Sequence, residues 1–173
     1  MSAQLRDVVA ADIPQIHAIY SHHVMHGAAS FEEVPPDVAE MKNRFAALKA
    51  RNMPYVAAIE GGDILGYAYA GPYRTRSAYR FTVEDSIYLA PDAAGRGLGK
   101  LLLNEIIVRS TALGMRQMVA VIGDTDNAAS IGLHRALGFQ MIGTLPAIGF
   151  KFGRWIDSVL MQRALGPGQT TLP

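Results

Sequence analysis

The chain has 173 residues, half of them hydrophobic and 18% charged, which suits one domain with a full core and excludes wholesale disorder. A net charge of +1 provides no basic stripe for nucleic acid, so any anionic ligand has to be held by a local site. The absence of cysteine excludes disulfides, thiolate metal sites and a cysteine nucleophile, and is compatible with a reducing cytoplasm.

The opening "MSAQLRDVVAADI" lacks the basic and apolar regions of a signal peptide, and no apolar run has membrane-spanning length, so a cytoplasmic protein without membrane contact is expected. "LRDVV" predicts a first strand, after which Asp12 is placed to cap a helix. Ile13, Ile16, Ile19, Tyr20 and Val24 keep helical spacing, and Met41, Phe45 and Leu48 share one face of a second helix behind Pro35-Pro36. "PYVAAIE", "GGD" and "ILGYAYAGPY" predict a β-hairpin. "RFTVEDSIYLAP" is a longer strand stopped by Pro91. A helix over Leu98 to Leu113 ends at Gly114, with Leu101, Leu102, Ile106 and Val108 expected in the core. "QMVAVI" reads as a strand buried on both faces. Asp126 or Asn127 caps a helix that runs to Leu137 and closes at Gly138. "FQMIGTLPAIGF" and "RWIDSVLMQR" are the last strands. A domain over residues 1–165 and a flexible tail over 166–173, "GPGQTTLP", are expected.

Strand, helix and strand between Thr82 and Ile122 form a crossover, which favours parallel neighbours. Hairpins on either side add antiparallel strands. The expected fold is therefore α/β, a mixed central sheet flanked by helices on both faces, with a central βαβ unit.

"AAGRGLGKLLL" places Gly95, Gly97 and Gly99 before a helix. A Walker loop would need glycine where Ala94 stands and Ser or Thr where Leu101 stands; a dinucleotide fingerprint fails in both registers. Two readings stay open on these residues: a flexible turn before a core helix, or backbone N–H groups converging on a pyrophosphate, helped by the helix dipole and by Arg96 and Lys100.

"AGRGLGKLLL" resembles the pyrophosphate loop of the GNAT superfamily of N-acetyltransferases, with Gly97 and Gly99 in place and Ala94 where Gln or Arg is usual. "YAYAGPYRTRSAYRFTVEDSIYLAP", "VAVIGDTDNAASIGLHRALGF" and "GFKFGRWIDSVLMQ" extend the resemblance to the phosphinothricin and methionine sulfoximine acetyltransferase group. The resemblance implies the GNAT fold and acetyl-coenzyme A as co-substrate, with residues Gly95, Arg96, Gly97, Leu98, Gly99 and Lys100 around the pyrophosphate. It implies no metal, a small amino acid acceptor and a homodimer.

Amine acetylation needs a base for the ammonium proton, a donor for the carbonyl oxygen and an acid for the departing thiolate. Glu84 alone could be a solvated strand glutamate; the resemblance makes it the base, with Thr82, Ser86 and Tyr88 on its face. Asp85 points to the opposite face, as a structural or substrate-side carboxylate. The resemblance implies that "SIYLAP" splays from its parallel neighbour, that backbone groups of Ile87, Tyr88 and Leu89 pair with the pantetheine arm, and that the Leu89 amide is the oxyanion donor. Asn127 and Ser130 lie one turn apart at a helix start, where capping and coenzyme contact can coexist. His134 stands where many of these enzymes carry an acidic tyrosine; it either donates a proton or holds hydrogen bonds. Arg74, Arg76 and Tyr79 match positions that hold anionic substrate groups, for which the planar guanidinium is suited, and Phe31 matches a pocket wall. "KFGRW" supports the site and the subunit contact, with no catalytic role for Lys151, Arg154 or Trp155. His22 and His26, four apart, lack a third metal ligand.

The expected reaction is direct acetyl transfer to the α-amine of phosphinothricin, methionine sulfoximine or methionine sulfone. Two alternatives remain: another acceptor, such as a protein amino terminus or a polyamine, or a coenzyme A-binding module without turnover.

Overall fold

The computed structural model describes residues 3–173. Strand β1 (Gln4–Asp7) leads through a short 3-10 turn into helix α1 (Ile13–His26), and α2 (Val38–Ala50) follows. The hairpin of β2 (Tyr55–Glu60) and β3 (Asp63–Pro72) precedes β4 (Thr82–Leu89), α3 (Leu98–Ala112) and β5 (Gln117–Gly123). Helix α4 (Ala128–Ala136) and the long hairpin of β6 (Gln140–Lys151) and β7 (Arg154–Ala164) complete the chain.

The seven strands lie in the order β1-β2-β3-β4-β5-β7-β6. Among the described residues only β4 and β5 are parallel, as a crossover through α3 requires; every other pair is antiparallel. This is the mixed sheet expected from the sequence. Strand alternation sorts its two faces by size. Tyr55, Ala57, Ile64 and Tyr67 pack with Ile13, Ile16 and Tyr20 of α1 and with Met41 of α2. Val56, Ala58, Ala68 and Ala70 face the other way, where small side chains let Leu102, Leu103 and Ile106 of α3 come close. Burying each of those three α3 side chains contributes ~1.5–3 kcal/mol. On this second face Ile131 and Leu133 of α4, and Leu137 just after it, also pack.

Three local expectations change. Asp12 does not cap α1 through its side chain. Its carboxylate turns back to accept the Val9 N–H at 2.8 Å and two Arg6 donors at 2.6 and 2.8 Å. Leu102 and Ile106 are buried as expected, but Leu101 and Val108 are 51% and 54% exposed, because the covered stripe of α3 runs through Leu98, Leu102, Leu103, Ile106, Ile107 and Ser110 and leaves those two on the outer face. Val121 of β5 is 41% exposed, although its strand was expected to be covered on both faces. The reason is a local opening of the sheet.

Candidate active site

That opening lies between β4 and β5. Their parallel register covers only Thr82↔Gln117, Val83↔Met118 and Glu84↔Val119; beyond Glu84 the strands separate. Ser86, Ile87 and Tyr88 on one side, with Ala120 to Gly123 on the other, line a cavity of about 250 Å³. The ladder to β3 decides which backbone groups look into it. The Tyr73 N–H bonds to the Thr82 carbonyl at 3.2 Å, and the Ala90 N–H to the Leu65 carbonyl at 2.9 Å, with unbroken register between them. Antiparallel alternation therefore turns the N–H and C=O groups of residues 82, 84, 86, 88 and 90 toward β3. Those of Ile87 and Leu89 face the gap. Tyr88, expected to offer its backbone there, is paired with Tyr67 in the ladder to β3, and the residue still lines the cavity. The Leu89 carbonyl accepts a hydrogen bond from His23 Nε2 of α1 at 2.8 Å, leaving the Leu89 N–H as the group turned to the gap.

Side-chain alternation splits two neighbouring carboxylates between the faces of the sheet. Glu84 lies with Ser86 and Tyr88 on the α1–α2 side. Burial pushes its carboxyl above the usual carboxylate range and the adjacent Asp85 adds to this, with Arg74 opposing. Asp85, included among the expected substrate contacts, lines the cavity from the other face and commits one oxygen to His134. Its Oδ2 lies 2.9 Å from His134 Nε2, and both side chains are 2% exposed. His134 Nδ1 meets the Ser130 carbonyl at 2.7 Å, so both ring nitrogens have an acceptor. Burial lowers the affinity of this ring for a proton, but the Asp85 hydrogen bond and charge and the Ser130 carbonyl together outweigh it, and its pKa is raised. Asn127 and Ser130 line the same cavity, with the Asn127 Oδ1 accepting the Ser130 N–H at 3.2 Å as the cap of α4.

The glycine segment forms the start of α3. Gly95 and Gly97 both have φ of +76°, a conformation open to glycine at little cost, and Gly97 is the N-cap. The N–H groups of Leu98, Gly99 and Lys100 follow it without helical acceptors, at the positive end of a 15-residue helix. Gly99 has a further duty, since a Cβ there would stand 3.2 Å from Leu133 Cδ2 of α4. Arg96 pairs with Glu60 at 2.8 Å, and Lys100 is exposed.

Phe31 is brought to the cavity by the segment after α1, which is pinned at several points. Lys151 of β6, 2% exposed, donates from Nζ to the Gly27 carbonyl at 2.8 Å and to the Ser30 carbonyl at 2.7 Å. The Tyr20 hydroxyl donates to Glu32 at 2.9 Å and lies 2.8 Å from Ser30 Oγ; Arg44 of α2 holds Glu32 at 2.8 Å. Two glycines make room for the segment. A Cβ on Gly149 would stand 2.5 Å from the Phe31 ring, and one on Gly123 would stand 1.9 Å from the Ala28 carbonyl oxygen.

Glu84, Asp85, Ser86, Ile87, Tyr88, Asn127, Ser130, His134 and Phe31 are thus gathered at one cavity. Arg74, Arg76 and Tyr79 are not among its walls. They line a neighbouring cavity of about 260 Å³ in the β3–β4 loop, with Arg51 and Arg80. The Arg74 charge still acts on Glu84, so the loop lies within electrostatic reach of that carboxyl. Sequence reasoning missed His23, Tyr20 and Glu32, whose partners are 66, 10 and 12 residues away along the chain, at spacings that carry no local signal. For Lys151 it gives a supporting role without the means, which are the two carbonyls that its ammonium ties together. Among the described residues no group of three or more His, Asp or Glu side chains is placed to hold a metal ion, and no helix is long and apolar enough to cross a membrane.

The opened strand edge suits an extended arm bearing amide groups, and the free N–H groups at the start of α3 suit a pyrophosphate. Acetyl-coenzyme A has both. Fold and site together define an acetyl-coenzyme A-dependent N-acetyltransferase. The chain belongs to the acetyltransferase (GNAT) family, whose model matches residues 16–139. It is 57% identical over 162 residues to the phosphinothricin N-acetyltransferase of Alcaligenes faecalis, covering 94% of this chain and 82% of that protein. It is 45% identical over 168 residues to the L-methionine sulfoximine/L-methionine sulfone acetyltransferase of Pseudomonas paraeruginosa, covering 96% and 97% of the two chains. The crystal structure of a phosphinothricin acetyltransferase from Sinorhizobium meliloti in complex with acetyl-coenzyme A superposes with a TM-score of 0.96 at 53% identity, covering all of this chain and 94% of that one.

Proposed function

We propose that this enzyme acetylates the α-amine of small amino acids with a tetrahedral polar head, such as phosphinothricin, methionine sulfoximine and methionine sulfone. The observation that carries the reading is the half-buried Glu84 at the point where β4 and β5 part, with Arg74 close enough to bias its charge. The acceptors named for the relatives at 57% and 45% identity agree with it. Acetyl-coenzyme A supplies the activated acetyl group. Glu84, with its raised pKa, is the base that takes the ammonium proton, directly or through water. The Leu89 N–H is the donor offered to a carbonyl oxygen in the gap. The first turn of α3, Gly95, Arg96, Gly97 and Lys100 hold the pyrophosphate, and Asn127 and Ser130 meet the arm at the start of α4. His134 is the store of the proton that leaves with the thiol. Arg74, Arg76 and Tyr79 close on the acceptor's carboxylate and head group, each charge-assisted bond contributing ~1.5–3 kcal/mol. Phe31 forms the apolar wall.

The same reading has the enzyme act in the cytoplasm as a homodimer. The edge strand β6 is apolar and open to solvent, with Ile142 and Ile148 each 58% exposed and Phe150 55%, beside Trp155 of β7 at 65%. A second copy of the chain is the partner that covers this face, and sedimentation of Trp155→Arg against the parent chain tests it.

Thiol release measured across phosphinothricin, methionine sulfoximine, methionine, spermidine and short peptides tests the acceptor. The tetrahedral-headed amino acids should give the highest kcat/KM, and Arg76→Ala should raise their KM at least ~10-fold with acetyl-coenzyme A affinity unchanged. Faster turnover of a peptide or of spermidine would overturn the assignment.

A further inference from the structure

The His134 ring has no nitrogen free to meet a ligand. Nε2 is committed to Asp85 Oδ2 and Nδ1 to the Ser130 carbonyl, with the Ser130 hydroxyl a more distant 3.4 Å from Nδ1. The second Asp85 oxygen, Oδ1, is different. It is buried and, among the described residues, without a hydrogen-bond partner, on a residue that lines the gap. A buried carboxylate oxygen left without a donor is costly, and such atoms in native proteins call for an explanation.

We propose that Asp85 and His134 form one proton-holding couple and that Asp85, through its carboxyl group, is the member that presents the proton to the gap. Two arrangements of the couple have the same net charge. One is an imidazolium beside a carboxylate, in which Oδ1 accepts; the other is a neutral ring beside a carboxylic acid, in which the carboxyl donates. A site that first receives a thioester, which has no proton to give, and then a thiolate, which needs one, requires both characters in turn. The balance is simple. The proton on His134 Nε2 passes to Asp85 Oδ2, rotation of the carboxyl about Cβ–Cγ turns that oxygen from the ring to the gap, its proton passes to the leaving sulfur, and a neutral imidazole and a carboxylate remain to be reprotonated from water.

The surroundings favour a pair that stays neutral overall. Glu84, next along β4 but on the other face, is an ionisable neighbour that feels the Asp85 charge. Around the couple stand Ser130 of α4, its cap Asn127, and Ser158 of β7, none of them charged. The Phe139 ring stands edge-on to the imidazole with centroids 4.9 Å apart. Arg135, also on α4, is exposed.

The inference rests on His134 as the proton store, and its test separates the two claims. Nitrogen-15 spectra of the ligand-free protein should show both His134 ring nitrogens protonated at pH 7, with deprotonation above the ordinary histidine range. In Asp85→Asn the ring should titrate at least one pH unit lower. The alkaline limb of the kcat profile should follow it down, with kcat at pH 8 reduced ~10²-fold and acetyl-coenzyme A affinity changed less than ~3-fold. An unchanged His134 titration in Asp85→Asn overturns the couple. A shifted titration with an unmoved kcat profile keeps the couple and overturns its role in proton supply. Should Asp85→Asn fail to fold, wild-type nitrogen-15 and carboxyl carbon-13 spectra decide alone: a singly protonated ring beside an ionised Asp85 at pH 7 overturns the proposal. Full kcat in His134→Asn, beside intact wild-type coupling, would remove the proton-store role proposed above without touching the pairing.

Discussion

Gly149→Ala is a one-carbon change whose consequence can be worked from the structure. The new Cβ would stand 2.5 Å from Phe31 Cε2, 2.8 Å from Cδ2 and 3.0 Å from Cζ. No carbon pair tolerates that spacing, and the cheapest relief is rotation of the Phe31 ring off its seat, since Gly149 sits in a strand whose backbone has nearer and stiffer constraints. The ring is 41% exposed already, so about three-fifths of its burial energy is at stake. With ~1.5–3 kcal/mol for a fully buried phenylalanine, the displaced ring forfeits ~1–2 kcal/mol. Thermal unfolding should therefore fall by roughly 2–8 °C. If the ring walls the acceptor pocket, the same energy appears in acceptor KM as a rise of roughly 5–30-fold. Coenzyme affinity should hold within about twofold, because the first turn of α3 lies elsewhere. Steady-state kinetics with phosphinothricin, calorimetry with acetyl-coenzyme A and Phe31→Ala as a comparison provide the assay. The two changes act on one ring, so the double variant should show little more than either single effect. An acceptor KM within twofold of wild type in Gly149→Ala, with the lower melting temperature present, would refute Phe31 as a pocket wall.

Gly97→Val, which forces a β-branched residue to φ of +76°, should weaken acetyl-coenzyme A binding at least ~10-fold in calorimetry, whereas Arg96→Ala, which loses an exposed pair with Glu60, should change it less than ~3-fold. Glu84→Gln should lower kcat/KM by ~10²-fold at neutral pH and abolish the acid limb of the pH profile, a limb expected above the ordinary carboxylate pKa because burial raises Glu84. Stability should vary with pH in two windows. The His134 contribution, from a raised pKa, is complete below ~6.5 and lost as pH rises through the folded value; that of Asp12, lowered chiefly by its Arg6 hydrogen bond, is present above ~3.9 and lost as pH falls through its folded value. Urea midpoints should therefore decline on both sides, and His134→Asn should flatten the alkaline decline alone.

Much of this fold is determined locally, and so is legible in the chain. The alternation of tyrosine and alanine in "YAYA" sorts the faces of β3, Gly114 and Gly138 end their helices with φ of +81° and +84°, and a crossover of this length makes β4 and β5 parallel neighbours. Period-two alternation likewise parts Glu84 from Asp85, a consequence of their adjacency in one strand. Where the structure departs from expectation, the deciding partner usually lies outside the element concerned. Asp12 turns from its helix to Arg6; Val121 is open because β4 peels away from it; Tyr88 gives its backbone to β3 because the ladder register, set at both ends by Tyr73 and Ala90, allows only alternate residues to face the gap. The commitment of both His134 nitrogens depends on Asp85, 49 residues earlier, and the Phe31 segment is held by Lys151, 121 residues beyond Ser30. Local conformation follows from propensity and period, which a few neighbouring residues specify. Which buried polar atoms find partners, and which one is left without, follows from packing distant segments against each other, and that is settled only in three dimensions.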